Sequence, residues 1–231
     1  GIYKIYDRDG LRYLQHGSTQ HGRQYLEGPQ RAVPLAYFHP SAPAGGVLQH
    51  TGFDFAQIGM IGLGTGALAA YAGEGQAFTI YELDPDNGRI AEEHFGYLAQ
   101  ARRQGAVVSH IYGDGRVALR ARESGSLDLL IIDAFSSGAI PVHLLTTEAF
   151  RSYLRVLKSD GIVLLHVSNK MLDLLPVIHS NARAVGAMVC EQTNAGNCHP
   201  DAECTDWAAL TLNAAKYQEL TGKLGWGTRS S

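Results

Sequence analysis

The chain has 231 residues, of which 45% are hydrophobic and 18% charged, so it is long and apolar enough to bury a core and is not a disordered segment. Its 19 basic and 22 acidic residues give a formal net charge of -3, without the basic excess that nucleic-acid binding usually needs. We therefore expect no nucleic-acid partner. The longest apolar runs, around residues 127–132 and 161–167, are strand-sized and too short for a membrane helix.

The N-terminal part of the chain is predicted to form a small β segment followed by a linker. Residues 2–6 and 11–15 alternate apolar and polar side chains around a turn sequence, which is typical of a β-hairpin, and an extended stretch follows at 18–26. Four prolines in residues 27–46 argue against a long helix there. We place the end of this first domain at residue 46.

From residue 47 to residue 231, strands alternate with helices, which predicts βαβ units and a parallel sheet. Asp84 and Pro85 are residue types favoured as the N-cap and first residue of a helix. The predicted strands lie at 56–61, 77–82, 106–111, 127–132 and 161–167, the helices at 66–72, 85–95 and 147–158, and a closing hairpin at 186–191 and 207–213. This order predicts an α/β fold with a seven-stranded, mostly parallel, Rossmann-like sheet of the methyltransferase type, whose ligands bind at the carboxyl ends of the strands.

The segment IGLGTGALA at residues 61–69 carries the clearest local motif. Gly62, Gly64 and Gly66 follow a strand and precede a helical segment, where glycines let the backbone turn sharply and approach a ligand. Gly62, Gly64 and Ala67 also satisfy the dinucleotide fingerprint. NAD binding and a purely structural turn therefore stay open as alternatives.

Three carboxylates follow successive predicted strands. Glu82 can accept hydrogen bonds from both hydroxyls of a ribose, and Asp114, between two glycines, can accept one from an adenine amino group. Asp133 follows an apolar run and faces the predicted cleft. Asp114 could instead cap a helix at 116–122. Three acids at adjacent strand ends favour a ligand site over three unrelated loop caps.

Several segments resemble the spermidine synthase, or polyamine aminopropyltransferase, family, and most of all the spermidine-synthase-like domains of bacterial membrane-fused proteins. These segments are HGSTQHGRQY at 16–25, PLAYFHP at 34–40, the glycine loop, YELDP at 81–85, GDG at 113–115 and DAFSSGAIPVHLLTTEAF at 133–150.

The resemblance implies an enzyme whose co-substrate is S-adenosylmethionine or its decarboxylated form, without a metal. The enzyme would transfer or eliminate the aminopropyl-type chain, release methylthioadenosine and form a homodimer. Its partners would be the sulfonium donor and an amine acceptor. Because the chain starts at Gly1 without an initiator methionine, we expect a longer parent protein with a membrane region and this domain on its cytoplasmic face.

The resemblance also assigns roles to individual residues. Glu82 would hold the ribose, Asp114 the adenine, and Gln24 would face the nucleoside. Tyr37 and Asp133 would be the catalytic residues, with Tyr37 facing the acceptor and Asp133 beside the reacting amine. The glycines of the loop would complete the co-substrate site.

Two positions depart from the family's pattern in the substrate site. Thr65 stands where the family has an Asp after its third glycine, and Ser136 replaces the second Asp of a DxxD motif. Thr65 removes a carboxylate that would repel the carboxylated donor, which predicts that S-adenosylmethionine binds at least as well as the decarboxylated compound. The alternatives are a methyltransferase, a non-catalytic nucleoside-binding module and, with less support, an NAD-dependent oxidoreductase.

The remaining candidates are histidines and cysteines. His39, His143 and His166 are possible bases, since imidazole titrates near neutral pH. The three cysteines do not fit the ligand spacing of a zinc site and favour one buried Cys190 with a Cys198–Cys204 disulfide in an oxidising compartment.

Overall fold

A computed structural model describes residues 2–17, 19–135, 140–168, 172–194 and 198–227. A small antiparallel sheet contains β1 (Tyr3–Arg8), β2 (Leu11–His16) and β3 (Thr19–Tyr25), in that order. The predicted hairpin is confirmed. Asp9 and Gly10 both have positive φ angles, 53° and 76°, as a two-residue hairpin turn requires.

The larger sheet has seven strands in the described part of the chain. They are β4 (Gln57–Ile61), β5 (Ala77–Glu82), β6 (Val107–Tyr112), β7 (Leu127–Ile132), β8 (Leu157–His166), β9 (Met188–Thr193) and β10 (Asp206–Thr211). Their order is β6-β5-β4-β7-β8-β10-β9, and only the pairs of β10 with β8 and β9 are antiparallel. The predicted fold class and the closing hairpin are confirmed.

Helices flank this sheet and differ from the predicted ones in several places. They are α1 (Pro43–Gln49), α2 (Pro85–His94), α3 (Tyr97–Arg103), α4 (Gly115–Ala121), α5 (Thr147–Val156), α6 (Leu175–Ala184) and α7 (Ala214–Gly222), with short 3₁₀ helices at Pro29–Ala32, Ala67–Tyr71 and Val142–Leu144. The segment predicted as a helix at 66–72 is thus a 3₁₀ helix, and α1, α3, α6 and α7 were not predicted. Helix α1 runs across residue 46, so the division into domains there stays a prediction.

The core lies on both faces of the larger sheet, and the central strand β7 is therefore buried along its whole length. Leu129 belongs to one apolar cluster, which also contains Leu14 of the small sheet, and Leu130 belongs to the cluster on the opposite face. This explains the continuous apolar run, since strands covered on both faces do not alternate with polar residues. None of the helices in the described segments is long and apolar enough to cross a membrane.

A disulfide between Cys198 and Cys204 closes a short loop near the C-terminus, while Cys190 is free and buried. The loop is joined to the N-terminal part of the chain through backbone hydrogen bonds on both sides of Ala36. The Ala36 amide donates to Asp201 at 2.9 Å, and the Glu203 amide donates to the Ala36 carbonyl at 3.2 Å.

We expect reduction of this disulfide to lower the free energy of unfolding by about 2 kcal/mol, because opening a loop of this size restores chain entropy to the unfolded state. Urea unfolding with and without reductant measures the change. A C198S/C204S protein is the control and should not respond to reductant. Equal stability of oxidised and reduced wild-type protein would contradict the expectation.

Candidate functional site

A cavity of about 500 Å³ lies at the carboxyl ends of β4 to β7, beneath the small sheet. The residues singled out in the sequence that line it include Gly62, Gly64, Glu82, Asp84, Asp114, Asp133 and the candidate base His143. Tyr3, His16 and His21 of the small sheet line its other side. The acids predicted to meet at the strand ends therefore do share one cavity.

The glycine loop occupies a narrow space between two backbones. Gly62 and Gly64 have φ angles of 92° and 55°. A side chain at Gly62 would collide with the backbone of Asp133, and a Cβ at Gly64 would lie 2.8 Å from the carbonyl oxygen of His21. Gly66 also has a positive φ, 80°, but packs against α3 and does not line the cavity.

Glu82 is held in place by its neighbours. Its carboxylate accepts hydrogen bonds from the Leu63 amide at 3.1 Å, the Asn87 side chain at 3.0 Å and the Asp84 amide at 2.8 Å. A carboxylate offers about four lone pairs, so one remains for a ligand hydroxyl. Asn87 is 5% exposed and lines the cavity, and its Oδ1 has no partner in the described structure, which makes it a second acceptor beside Glu82.

Asp114 has two roles. Its Oδ1 accepts a hydrogen bond from the Val117 amide at 3.1 Å and so caps α4, as the alternative interpretation of this residue predicted. Its Oδ2 lies 3.6 Å from Nε2 of His143, at the edge of the cavity. Capping and ligand binding use different oxygens and are compatible.

Asp133 forms a buried pair with His166. Oδ1 of Asp133 accepts a hydrogen bond from Nδ1 of His166 at 2.7 Å, and the side chains are 8% and 4% exposed. On the other side of the ring, Nε2 lies 3.0 Å from the Ser168 hydroxyl and 2.7 Å from that of Thr205. Since a carboxylate only accepts, Nδ1 carries a proton. The imidazole therefore fixes the orientation of Asp133.

Aromatic rings enclose His166. Its ring stacks on Trp207 at 4.7 Å, and Phe135 and Tyr37 lie at 4.7 and 5.2 Å. His166 was one of three candidate bases, but both of its nitrogens are engaged by neighbours and it does not line the cavity. His166 therefore positions the Asp133 side chain.

The charge of the cavity is negative. Glu82, Asp84, Asp114 and Asp133 line it, whereas no lysine or arginine does so in the parts of the chain that the structure describes. Tyr3 closes one end by donating a hydrogen bond to Asp84 at 2.9 Å. Such a site attracts cations.

Gln24 and Tyr37 lie outside the lining of this cavity. The Gln24 side chain donates to the Arg31 carbonyl at 2.9 Å and accepts from the Gly96 amide at 2.8 Å, so its amide is occupied within the protein. Burial, followed by the neighbouring Glu203, raises the pKa of the Tyr37 hydroxyl, which therefore stays protonated. Tyr37 is nevertheless adjacent to His166, with the two ring centroids 5.2 Å apart.

Of the two substrate positions that depart from the family's pattern, Thr65 lies within the described residues and does not line the cavity. Thr65 is fully buried, and its hydroxyl has no partner in the described structure. It faces β3, where a Cβ on Gly22 would lie 2.8 Å from Oγ1 of Thr65. Ser136 lies outside the described residues.

His39, His199 and Asp201 place three potential metal-ligand atoms within 4.8 Å of one another. However, Nδ1 of His39 accepts from the Ser41 amide and Nδ1 of His199 from the Asp201 amide, both at 3.1 Å, so in the neutral rings Nε2 carries the proton. The rings also stack at 4.4 Å with an angle of 13°, and their lone pairs lie in nearly parallel planes. The group is a stacked pair and does not have the geometry of a metal centre.

Sequence reasoning did not identify Tyr3, His16, His21 or Asn87 as cavity residues. The two histidines stand in the segment HGSTQHG, which was noticed only as part of a family resemblance. Nothing in a single sequence shows that the small sheet folds over the strand ends.

Comparison with known proteins agrees with this fold. A family model described as a methyltransferase domain matches residues 56–166, and no curated protein matches the sequence significantly. A probable spermidine synthase from Corynebacterium glutamicum is 15% identical with a TM-score of 0.68, and the match covers 97% of this chain and 84% of that one. The Thermotoga maritima spermidine synthase is 13% identical with a TM-score of 0.56, over 99% and 80%.

Human methyltransferase-like protein 13, solved with S-adenosylhomocysteine, is 17% identical with a TM-score of 0.57, and covers 81% of this chain and 91% of its own. The fold is shared by methyltransferases and spermidine synthases. The predicted Rossmann-like sheet of the methyltransferase type is thereby confirmed, and the small sheet is an addition to it.

We expect His166→Leu to destabilise the protein by about 3 kcal/mol, because it leaves the buried Asp133 carboxylate without its imidazole partner. His166→Asn is the matched control, since its amide can donate to Asp133 from near the position of Nδ1. Chemical denaturation compares the two variants. Equal losses would mean that ring packing, and not the pair with Asp133, accounts for the stability.

Proposed function

We propose that this chain is an enzyme that binds an adenosyl sulfonium compound in the cavity and transfers its aminopropyl-type chain to an acceptor, releasing methylthioadenosine. The observation that carries the proposal is the small sheet over the strand ends. The likeness to spermidine synthases extends over 97% and 99% of the chain and so includes this sheet, whereas the likeness to the human methyltransferase-like protein covers 81%.

The residues of the cavity support the same chemistry. Glu82 and Asn87 offer acceptors for the hydroxyls of a ribose, and Asp114 has one oxygen left for an adenine amino group. Asp133 lines the cavity together with His16 and His21 of the small sheet. A carboxylate there can hold an acceptor amine against the carbon that is attacked.

In the proposed reaction, the lone pair of the acceptor nitrogen attacks the chain carbon that is bonded to the sulfonium. The bond between carbon and sulfur breaks, and its electron pair neutralises the sulfur. The product nucleoside is then the uncharged thioether. Four carboxylates stabilise the cationic donor more than they stabilise this neutral product, which favours its release.

The negative charge of the cavity also affects which sulfonium donor binds more tightly. Thr65 removes one carboxylate that would repel S-adenosylmethionine, but its side chain faces Gly22, and the four carboxylates of the cavity remain. We therefore propose, in place of the preference predicted from Thr65, that these acids determine which donor binds and that the decarboxylated donor binds more tightly.

A methyltransferase is the second candidate, because the family model that matches residues 56–166 describes a methyltransferase domain. The nucleoside product separates the two reactions. Methyl transfer leaves S-adenosylhomocysteine, whereas transfer of the longer chain leaves methylthioadenosine.

We expect methylthioadenosine when the purified protein is incubated with each sulfonium donor and a panel of amines. Mass spectrometry of the nucleoside identifies the product, and a sample without amine reveals elimination. S-adenosylhomocysteine alone would favour the methyltransferase. Binding without any product would favour the non-catalytic module, and protection against unfolding by NADH alone would favour the oxidoreductase.

We expect Glu82→Gln to weaken the binding of methylthioadenosine at least tenfold, because hydrogen bonds to a charged acceptor contribute about 1.5–3 kcal/mol. Isothermal titration calorimetry measures the change. Glu93→Gln, on the exposed part of α2, is the control and should bind normally. Since Glu82 also accepts three internal hydrogen bonds, each variant's unfolding curve is recorded alongside. Unchanged affinity in a folded Glu82→Gln protein would argue against the ribose assignment.

The homodimer and a membrane-attached parent protein belong to the same proposal. Strand β6 lies at an edge of the larger sheet and exposes Val107, Ile111 and Tyr112, and apolar edge strands favour pairing with another copy. Sedimentation at tens of micromolar distinguishes a dimer from a monomer.

A further inference from the structure

We propose that His21 is the general base of this site, the group that removes the proton from the attacking acceptor. The inference rests on the proposed function, because it assigns a residue to that reaction. The attacking atom must carry a free lone pair, and an amine is mostly an ammonium at neutral pH. Some group in the cavity must therefore accept a proton.

A β-bulge directs His21. Along β2 and β3, Leu14 pairs with Gly22 and the next residue, Gln15, pairs with Gln20, so His21 is an extra residue without a partner in the register. Bulges bend a strand, re-aim a side chain and occur often beside active sites. Here the bulged side chain lines the cavity beneath the small sheet.

The backbone of His21 is fixed by the glycine loop. Its carbonyl lies against Gly64, and the next residue, Gly22, packs on Thr65, where a Cβ would lie only 2.8 Å from Oγ1. Gly22 has a φ of 139°, which disfavours other residues. The bulge is thus part of the contact between the two sheets, which fixes the backbone of His21 beside the cavity.

The imidazole is available for proton transfer. His21 forms no side-chain hydrogen bond to any residue that the structure describes, and its ring nitrogens are not sealed from the cavity. The titratable groups that face it are Asp133 at the end of β7 and His16 on β2. Burial, with a smaller effect of His16, lowers the pKa of His21, and Asp133 partly opposes this. The ring is consequently neutral at pH 7 and can accept a proton.

Asp133 and His21 then have different tasks. Oδ1 of Asp133 is engaged by His166, and the carboxylate holds the acceptor by hydrogen bonding. The acceptor ammonium transfers one proton to the neutral imidazole, and the freed lone pair attacks the sulfonium-bound carbon. After the bond to sulfur breaks, the imidazolium loses its proton to solvent. Atoms and charge balance without another reactant.

The test is His21→Gln in the whole protein. General bases contribute roughly 100-fold to 10,000-fold to rate, so we expect turnover to fall at least 100-fold while the affinity for methylthioadenosine stays within threefold. In the wild type, turnover should rise with pH across a range below 6.5, because the base must be neutral; in the variant this limb should be absent. His94→Gln, at the exposed end of α2, should keep the wild-type profile.

Several results would overturn the inference. If the wild type is active and the His21→Gln variant keeps both its turnover and its pH dependence, the inference about His21 is wrong but the proposed function stands. If the wild type turns over no sulfonium donor, both the inference and the proposed function are wrong. A measurement without turnover is nuclear magnetic resonance titration of the His21 ring. We expect Asp133→Asn to lower its pKa further, and an unchanged value would show that the two side chains do not face each other.

Discussion

The contact between the glycine loop and two neighbouring backbones is the constraint on which the site depends. Gly62 passes so close to the backbone of Asp133 that no side chain fits, and Gly64 does the same beside His21. One loop therefore packs both against the residue that follows β7 and against the small sheet above it. If the loop were wider, the cavity would lose its depth and its cover together.

The carboxylates of the cavity are stable there because each has internal partners. Burying an ionised group without hydrogen bonds is costly, and Glu82 and Asp133 avoid that cost through backbone amides, Asn87 and His166. Each of these carboxylates lines the cavity and can still accept a hydrogen bond from a ligand. Internal partners thus orient the acids before any ligand arrives, and a ligand need not pay for ordering them.

Much of the larger sheet could be predicted from the sequence because its signals are local. The apolar run before Asp133, the capping residue Asp84 and the glycines at 62–66 each depend on residues close by, and the structure has the expected strand, helix and turn. The helix predicted at 85–95 ends at His94, but the second helix, which begins at Tyr97, was not predicted.

The site was only half predictable for a related reason. Glu82, Asp114 and Asp133 follow from the rule that parallel strands end at one edge of a sheet, which needs no knowledge of distant contacts. His21 depends on a bulge in register, and Thr65 faces away from the cavity because Gly22, far away in sequence, leaves room for it. The orientations of these two side chains depend on pairing between distant segments, which local sequence patterns do not predict.

The anchoring of the small sheet has a consequence for how the chain acquires its structure. Gln20 and Arg23 bind Glu203, and Tyr25 binds Asp201, over separations of 176 to 183 residues. Contacts between such distant segments form late, because a long loop must close first. During synthesis the contacts of the small sheet with Asp84, Gly96 and Tyr97 can form early, whereas those with Asp201 and Glu203 wait until nearly the whole chain has left the ribosome. The small sheet is therefore fully anchored only at the end of synthesis.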